Sequence, residues 1–111
     1  MATLSLCQPT SITAASLGAV AANSGGDQFL NDGRTLFYAK NTNASSRTIT
    51  VVTSSSVGGG IALADSTFTL AQNEEKLLGP FPPRYFNDAN GYVQVTYSAV
   101  TNVTVAAVKL L

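Results

Sequence analysis

Histidine and tryptophan are missing from this chain, and cysteine occurs once. Histidine is the commonest general base near neutral pH and a frequent metal ligand, so its absence removes the ordinary route to acid–base, triad and zinc chemistry. Cys7 has no second thiol in the chain, so no intrachain disulfide forms. With no histidine to activate it, it reads as a small apolar side chain rather than a nucleophile. Charge is equally scarce: Asp, Glu, Lys and Arg make up 11% of the residues and cancel to a formal net charge of zero, against about a quarter in an average domain. Six Lys and Arg residues spread thinly along the chain make no basic stripe, which argues against a nucleic-acid partner. No stretch approaches the roughly 20 apolar residues of a membrane helix. The small apolar residues 12–22 have no Lys or Arg before them, so they are not read as a secretory signal.

What is present is turn chemistry and period-two alternation. At 111 residues the chain fits one domain, long enough to bury about two-thirds of its unfolded surface without a metal or disulfide. Residues 3–7, 34–40, 47–53, 66–71, 75–78, 92–98 and 103–111 alternate as strands. Leu36 and Tyr38 fall on one face of residues 34–40, with Phe37 and Ala39 on the other, so both faces are partly covered. Ile49, Val51, Phe68, Leu70, Val93, Val95 and Tyr97 take inward positions. In the last strand Val103 and Val105 share one phase and Val108 and Leu110 the other. The slip at Ala106-Ala107 means either a bulge or a strand covered on both faces. Asn31-Asp32-Gly33 is the strongest turn signal of the first half. Ser24-Gly25-Gly26-Asp27, residues 41–46 and residues 87–91 also turn. Pro9 ends the first strand, and residues 11–22 read as extended chain with strand pieces. Residues 54–60 read as a Ser/Gly-rich surface loop. The expected fold is all-β: an antiparallel β-sandwich or small β-barrel of about seven or eight strands, with no helix longer than two or three turns.

Few residues carry candidate chemistry. Asp27, Asp32 and Asp88 lie in turns beside asparagines, but they match no calcium loop and Asx residues make turns unaided. Glu74 and Glu75 are neighbours and would point apart on a strand, so they do not face one gap as a glycosidase pair does. No metal site, cofactor site or catalytic grouping is read here. The most unusual stretch is Gly79-Pro80-Phe81-Pro82-Pro83-Arg84-Tyr85-Phe86, whose prolines make it a loop over an end or edge of the sheet. Phe81, Tyr85 and Phe86 either cap the open end of the core or, with Arg84, meet a partner.

The turn-and-strand series Asn31-Asp32-Gly33-Arg34-Thr35, Lys76-Leu77-Leu78-Gly79-Pro80-Phe81-Pro82, Asn87-Asp88 and Gly91-Tyr92-Val93-Gln94-Val95-Thr96-Tyr97-Ser98, closed by a strand over residues 103–111, resembles small virion proteins of tailed bacteriophages. Among these it is most similar to the capsid decoration (cement) proteins. The resemblance implies a sandwich or barrel that forms a homo-oligomer, often a homotrimer, on the outer capsid surface. The major capsid protein would be its partner, and the chain would be made in the host cytoplasm. It carries over no individual functional residue. It divides the chain into residues 1–22, an N-terminal arm or edge segment, and residues 23–111, the β-sandwich domain. Leu4 and Leu6 of the arm, with Phe81, Arg84, Tyr85 and Phe86, are the expected partner contacts. The rival expectations are a tail or head-completion protein and a soluble carbohydrate- or surface-binding β-module.

Overall fold

The computed structural model describes residues 2–8, 17–53, 56–57, 61–62 and 65–109. The expectations for Pro9, most of residues 54–60, residue 110 and the first part of residues 11–22 fall outside these. The strands are β1 (Ala2–Thr3), β2 (Leu6–Cys7), β3 (Val20–Ala21), β4 (Asp27–Leu30), β5 (Thr35–Asn41), β6 (Arg47–Val52), β7 (Ser56–Val57), β8 (Ile61–Ala62), β9 (Ser66–Leu70), β10 (Glu74–Leu78), β11 (Tyr92–Tyr97) and β12 (Val103–Lys109), with one helical turn, α1 (Pro83–Phe86). Seven of these strands run four residues or more.

They form two open sheets packed face to face, a sandwich and not a closed barrel. The first sheet has the order β1-β4-β11-β6-β9 and the second β10-β5-β12-β2. β5 runs along one whole side of β12, so β3 shares the other side with β2. Among the described residues β7 and β8 pair only with each other. Both sheets are mixed, because the two N-terminal pieces pair parallel: Ala2 with Asp27 in β4, and Leu6 with Ala107 in β12.

Alternation builds the core. Phe29, Ile49, Val51, Leu70, Val93 and Val95 point inward from the first sheet, and Phe37, Ala39, Val103, Val105 and Ala107 from the second; none is more than 1% exposed. Phe29 and Phe37 stack between the layers, with ring centroids 5.8 Å apart and planes at 13°. The short axis of the molecule is 20 Å, as expected for two sheets ~10 Å apart with side chains on both outer faces.

Four local expectations are revised. Residues 3–7 are not one strand: β1 joins the first sheet and β2 the second, and Leu4 is buried between them where the chain crosses over. β4 was hidden in the sequence by its shortness and its neighbouring turns. The register of β12 against β5 is unbroken from Val103↔Asn41 to Lys109↔Thr35, so the slip at Ala106-Ala107 is not a bulge. Ala106 is instead buried on the outer face, beside its cross-strand partner Tyr38. Finally, the proline-rich stretch is only partly a loop, since Pro83 opens α1, where its fixed φ suits a first helical turn.

Candidate interaction surfaces

The proline-aromatic stretch leaves β10 at Gly79, whose φ is +125° and whose Cβ would lie 3.0 Å from the Thr35 carbonyl oxygen, so glycine is required there. The chain then turns back over the end of the sandwich. Phe81 is 3% exposed and packs against Phe29 (5.8 Å, 48°) and Phe86 (5.3 Å, 62°). Two asparagines hold it there. Asn31 Nδ2 donates to the Phe81 carbonyl (2.9 Å) and to Asn87 Oδ1 (2.7 Å), while Asn87 Nδ2 donates to the Asn31 carbonyl (2.7 Å). The Gly33 N–H donates to Asn31 Oδ1, so the same side chain shapes the turn before β5.

The six expected contact residues therefore fall into three settings. Leu4 and Phe81 are buried in the chain's own core. Leu6 and Phe86 are half-buried and packed against it. Arg84 is exposed, with its guanidinium carbon 5.5 Å from the centroid of the half-buried Tyr85 ring. Only this last pair presents itself outward.

Leu6 also lines a cleft of about 260 Å³ with Leu30, Asn31, Asp32, Thr35, Gly91 and Lys109. Lys109 Nζ lies 3.5 Å from Asp32 Oδ2. Partial desolvation opposes ionisation of Asp32, but the Arg34 N–H and the Lys109 ammonium together outweigh it and hold the carboxyl below its usual range.

Asp27 is 1% exposed. Its Oδ2 accepts the Tyr97 hydroxyl (2.6 Å) and the Asn23 N–H (3.2 Å), and its Oδ1 has no hydrogen-bond partner among the described residues. Burial, then the bond to Asp27 and its negative charge, push the Tyr97 phenol far above its ordinary range. An acid whose folded pKa is raised stabilises the fold fully below its unfolded pKa, and that stability is lost as pH rises beyond it. Stability is therefore expected to fall above about pH 10 by up to ~1.4 kcal/mol per pH unit from this group. Tyr97→Phe should flatten that alkaline limb in urea titrations at stepped pH; an unchanged limb would assign the sensitivity elsewhere.

Among the described residues no three His, Cys, Asp or Glu side chains converge as a metal site. The chain matches no family model, curated protein or solved structure.

The two outer faces of the sandwich differ in their balance of polar and apolar groups. The first sheet presents mainly threonine and glutamine, with Tyr92 beside the 49% exposed Leu30 and Val52 beside Gln94. Thr50 lies between Thr96 and Thr67, and Thr48 beside Thr69. Gln94 Nε2 donates to Gln28 Oε1 (3.0 Å) and to Asp88 Oδ2 (2.7 Å), and Gln28 Nε2 donates to Thr3 Oγ1 (3.0 Å). The second sheet presents apolar groups. Leu77, Tyr38 and Ala106 form one row across β10, β5 and β12, and Leu36, Val108 and Cys7 form the next across β5, β12 and β2. Leu77 is 57% exposed. Lys40, Glu75 and Thr104 close the patch at one end. The alternation Leu36-Phe37-Tyr38-Ala39 is its sequence signal. A strand apolar on both faces needs cover on both, and the core covers only one.

Proposed function

We propose that this chain is a non-enzymatic structural protein of a tailed bacteriophage, a decoration (cement) protein that binds the outer capsid surface and stabilises it. The observation that carries the reading is the apolar outer face of the second sheet. The core is complete without it, yet Leu36, Tyr38, Val108 and the well-exposed Leu77 remain outside on a chain poor in charge. A surface of that kind favours association. The resemblance to decoration proteins supplies the partner, the major capsid protein, and the oligomer, a homotrimer. Neither nucleic acid nor a membrane enters the reading. Linked copies raise one another's effective concentration, so weak individual contacts sum to a firm clamp.

The test is cosedimentation of the purified chain with heads that lack it. The expected result is saturable pelleting with the heads and a higher temperature of head rupture. A chain that remains in the supernatant overturns the proposal. A second reading, a carbohydrate-binding module, is favoured by the uncharged Thr/Gln array on the first sheet, whose hydroxyls and amides suit sugar hydroxyls. Binding on a glycan array without head binding would select it.

A further inference from the structure

We propose that Asn90 is a site of spontaneous covalent modification, where the backbone nitrogen of Gly91 closes a succinimide ring on the Asn90 side chain and so converts it to aspartate or isoaspartate. The inference stands apart from the assembly reading above.

The chemistry is intramolecular. The Gly91 nitrogen attacks Asn90 Cγ, a new C–N bond forms and the Cγ–Nδ2 bond breaks. The side-chain nitrogen leaves as ammonia, carrying the proton that Gly91 N has lost. Water then opens the ring on one side or the other. Cleavage at Cγ gives aspartate, and cleavage at the main-chain carbonyl gives isoaspartate. Nothing is oxidised or reduced, and no co-reactant but water is needed. Neighbouring residues hold the two reacting atoms close, which is the advantage of an intramolecular step.

Access to the nitrogen and freedom of the turn select this position. Asn90 is the one asparagine followed by glycine; every other precedes a residue whose Cβ crowds the nitrogen. Asn90 is exposed, and its side-chain amide has no hydrogen-bond partner among the described residues. A Cβ built on Gly91 would meet nothing within 4 Å, so the ring has room. The Gly91 N–H donates inside the turn, to the Asp88 carbonyl (3.1 Å). Such a local bond opens without unfolding the sheets. Other asparagines are held: Asn31 and Asn41 are buried, while Asn23 and Asn43 each accept an N–H from two residues on. Asp32 also precedes a glycine, but its ionised carboxylate, 3.5 Å from Lys109 Nζ and bonded to the Arg34 N–H (3.1 Å), is a poor target for a nucleophile.

The two products act differently on the fold. Aspartate leaves the main chain as it was and adds a negative charge to a chain of zero net charge. Isoaspartate lengthens the main chain by a methylene just before Gly91. The Gly91 carbonyl accepts the Asn31 N–H (3.1 Å), and Asn31 in turn holds Phe81 over the end of the sandwich. Isoaspartate therefore loosens the end cap, and aspartate does not.

The test begins with the full chain kept warm at mildly alkaline pH and then digested with trypsin. Fragment 85–109, bounded by Arg84 and Lys109, is separated and weighed beside an unincubated sample. It should split into the original form and two forms heavier by the difference between an acid and its amide, with the change located at residue 90. Conversion should quicken with pH, because the attacking nitrogen must lose its proton. Asn90→Gln, which would have to close a larger ring, should convert many-fold more slowly. An unchanged fragment, under conditions where a synthetic peptide of residues 85–95 converts, means that the fold blocks closure and overturns the inference. Equal conversion at Asn102, in the same fragment, overturns it as well, since glycine would then decide nothing. The separated isoaspartate form should melt several degrees below wild type, and Asn90→Asp should melt with it. An isoaspartate form as stable as wild type overturns the link to Asn31.

Discussion

Phe29→Ala is expected to cost about 3–5 kcal/mol of stability, the range for removing a large aromatic from a packed interior. Phe29 is fully buried, stacks on Phe37 across the sandwich and touches Phe81, which closes the end. One substitution thus removes contacts within both layers and beneath the cap. Ring pairing adds about 0.5–1.5 kcal/mol beyond area burial. A domain of this size has only about 5–15 kcal/mol in all, so the variant stands near the threshold of folding. Urea titration should show a much lower midpoint with little change in slope. Thr67→Ala, on the exposed face of β9, should stay within about 0.5 kcal/mol of wild type. Similar midpoints for the two variants would mean that the layers do not meet at Phe29.

Asn41→Leu should cost about 3 kcal/mol although the two side chains branch alike and have the same number of heavy atoms. Asn41 is fully buried at the end of β5. Its Nδ2 donates to the Ser45 carbonyl (2.9 Å) and across the sandwich to the Leu70 carbonyl of β9 (3.1 Å). Its Oδ1 accepts the Asn43 N–H (2.9 Å), which shapes the turn into β6. Leucine leaves these groups without their partner, and an unsatisfied buried polar group costs ~1–3 kcal/mol. Thermal unfolding checks the loss, and amide exchange at Asn43 should accelerate with it. A neutral result would mean that water replaces the side chain.

Strands with one face inward were legible because period two survives any partner choice: residues 47–52 and 92–97 place Ile49, Val51, Val93 and Val95 inside, as their alternation requires. The Asn31-Asp32-Gly33 turn was legible because its chemistry is local: Asn31 and Asp32 each accept an N–H two residues on, and Gly33 has φ +94°. What alternation does not encode is the identity of the neighbouring strand. Leu4 and Leu6 look like one edge strand in sequence, yet they belong to a crossing between sheets, fixed by pairings with Asp27–Leu30 and Val103–Lys109 far along the chain. Asn31 and Asn41 read as turn residues, and nothing local says that they are buried and bridge distant segments. Phe81 shows the same limit. Its surroundings of proline and glycine mark a loop, while its burial depends on Phe29, which is 52 positions earlier in the chain.

The apolar outer face was half legible. Leu36 and Tyr38 announce a second covered face on β5, but Leu77, Val108 and Cys7 join them only through register. A single exposed leucine such as Leu30 on the first sheet is ordinary on a protein surface; several contiguous apolar groups on one sheet favour association. The proposed clamp rests on that contiguity.

The most direct measurement is the number of copies bound per head at saturation, from labelled chain titrated onto heads that lack it. The account predicts a plateau with many copies per head, in fixed proportion to the capsid subunits and the same on every particle. A plateau of only a few copies per particle would make the chain a tail or head-completion component, and no plateau at all would contradict the capsid reading.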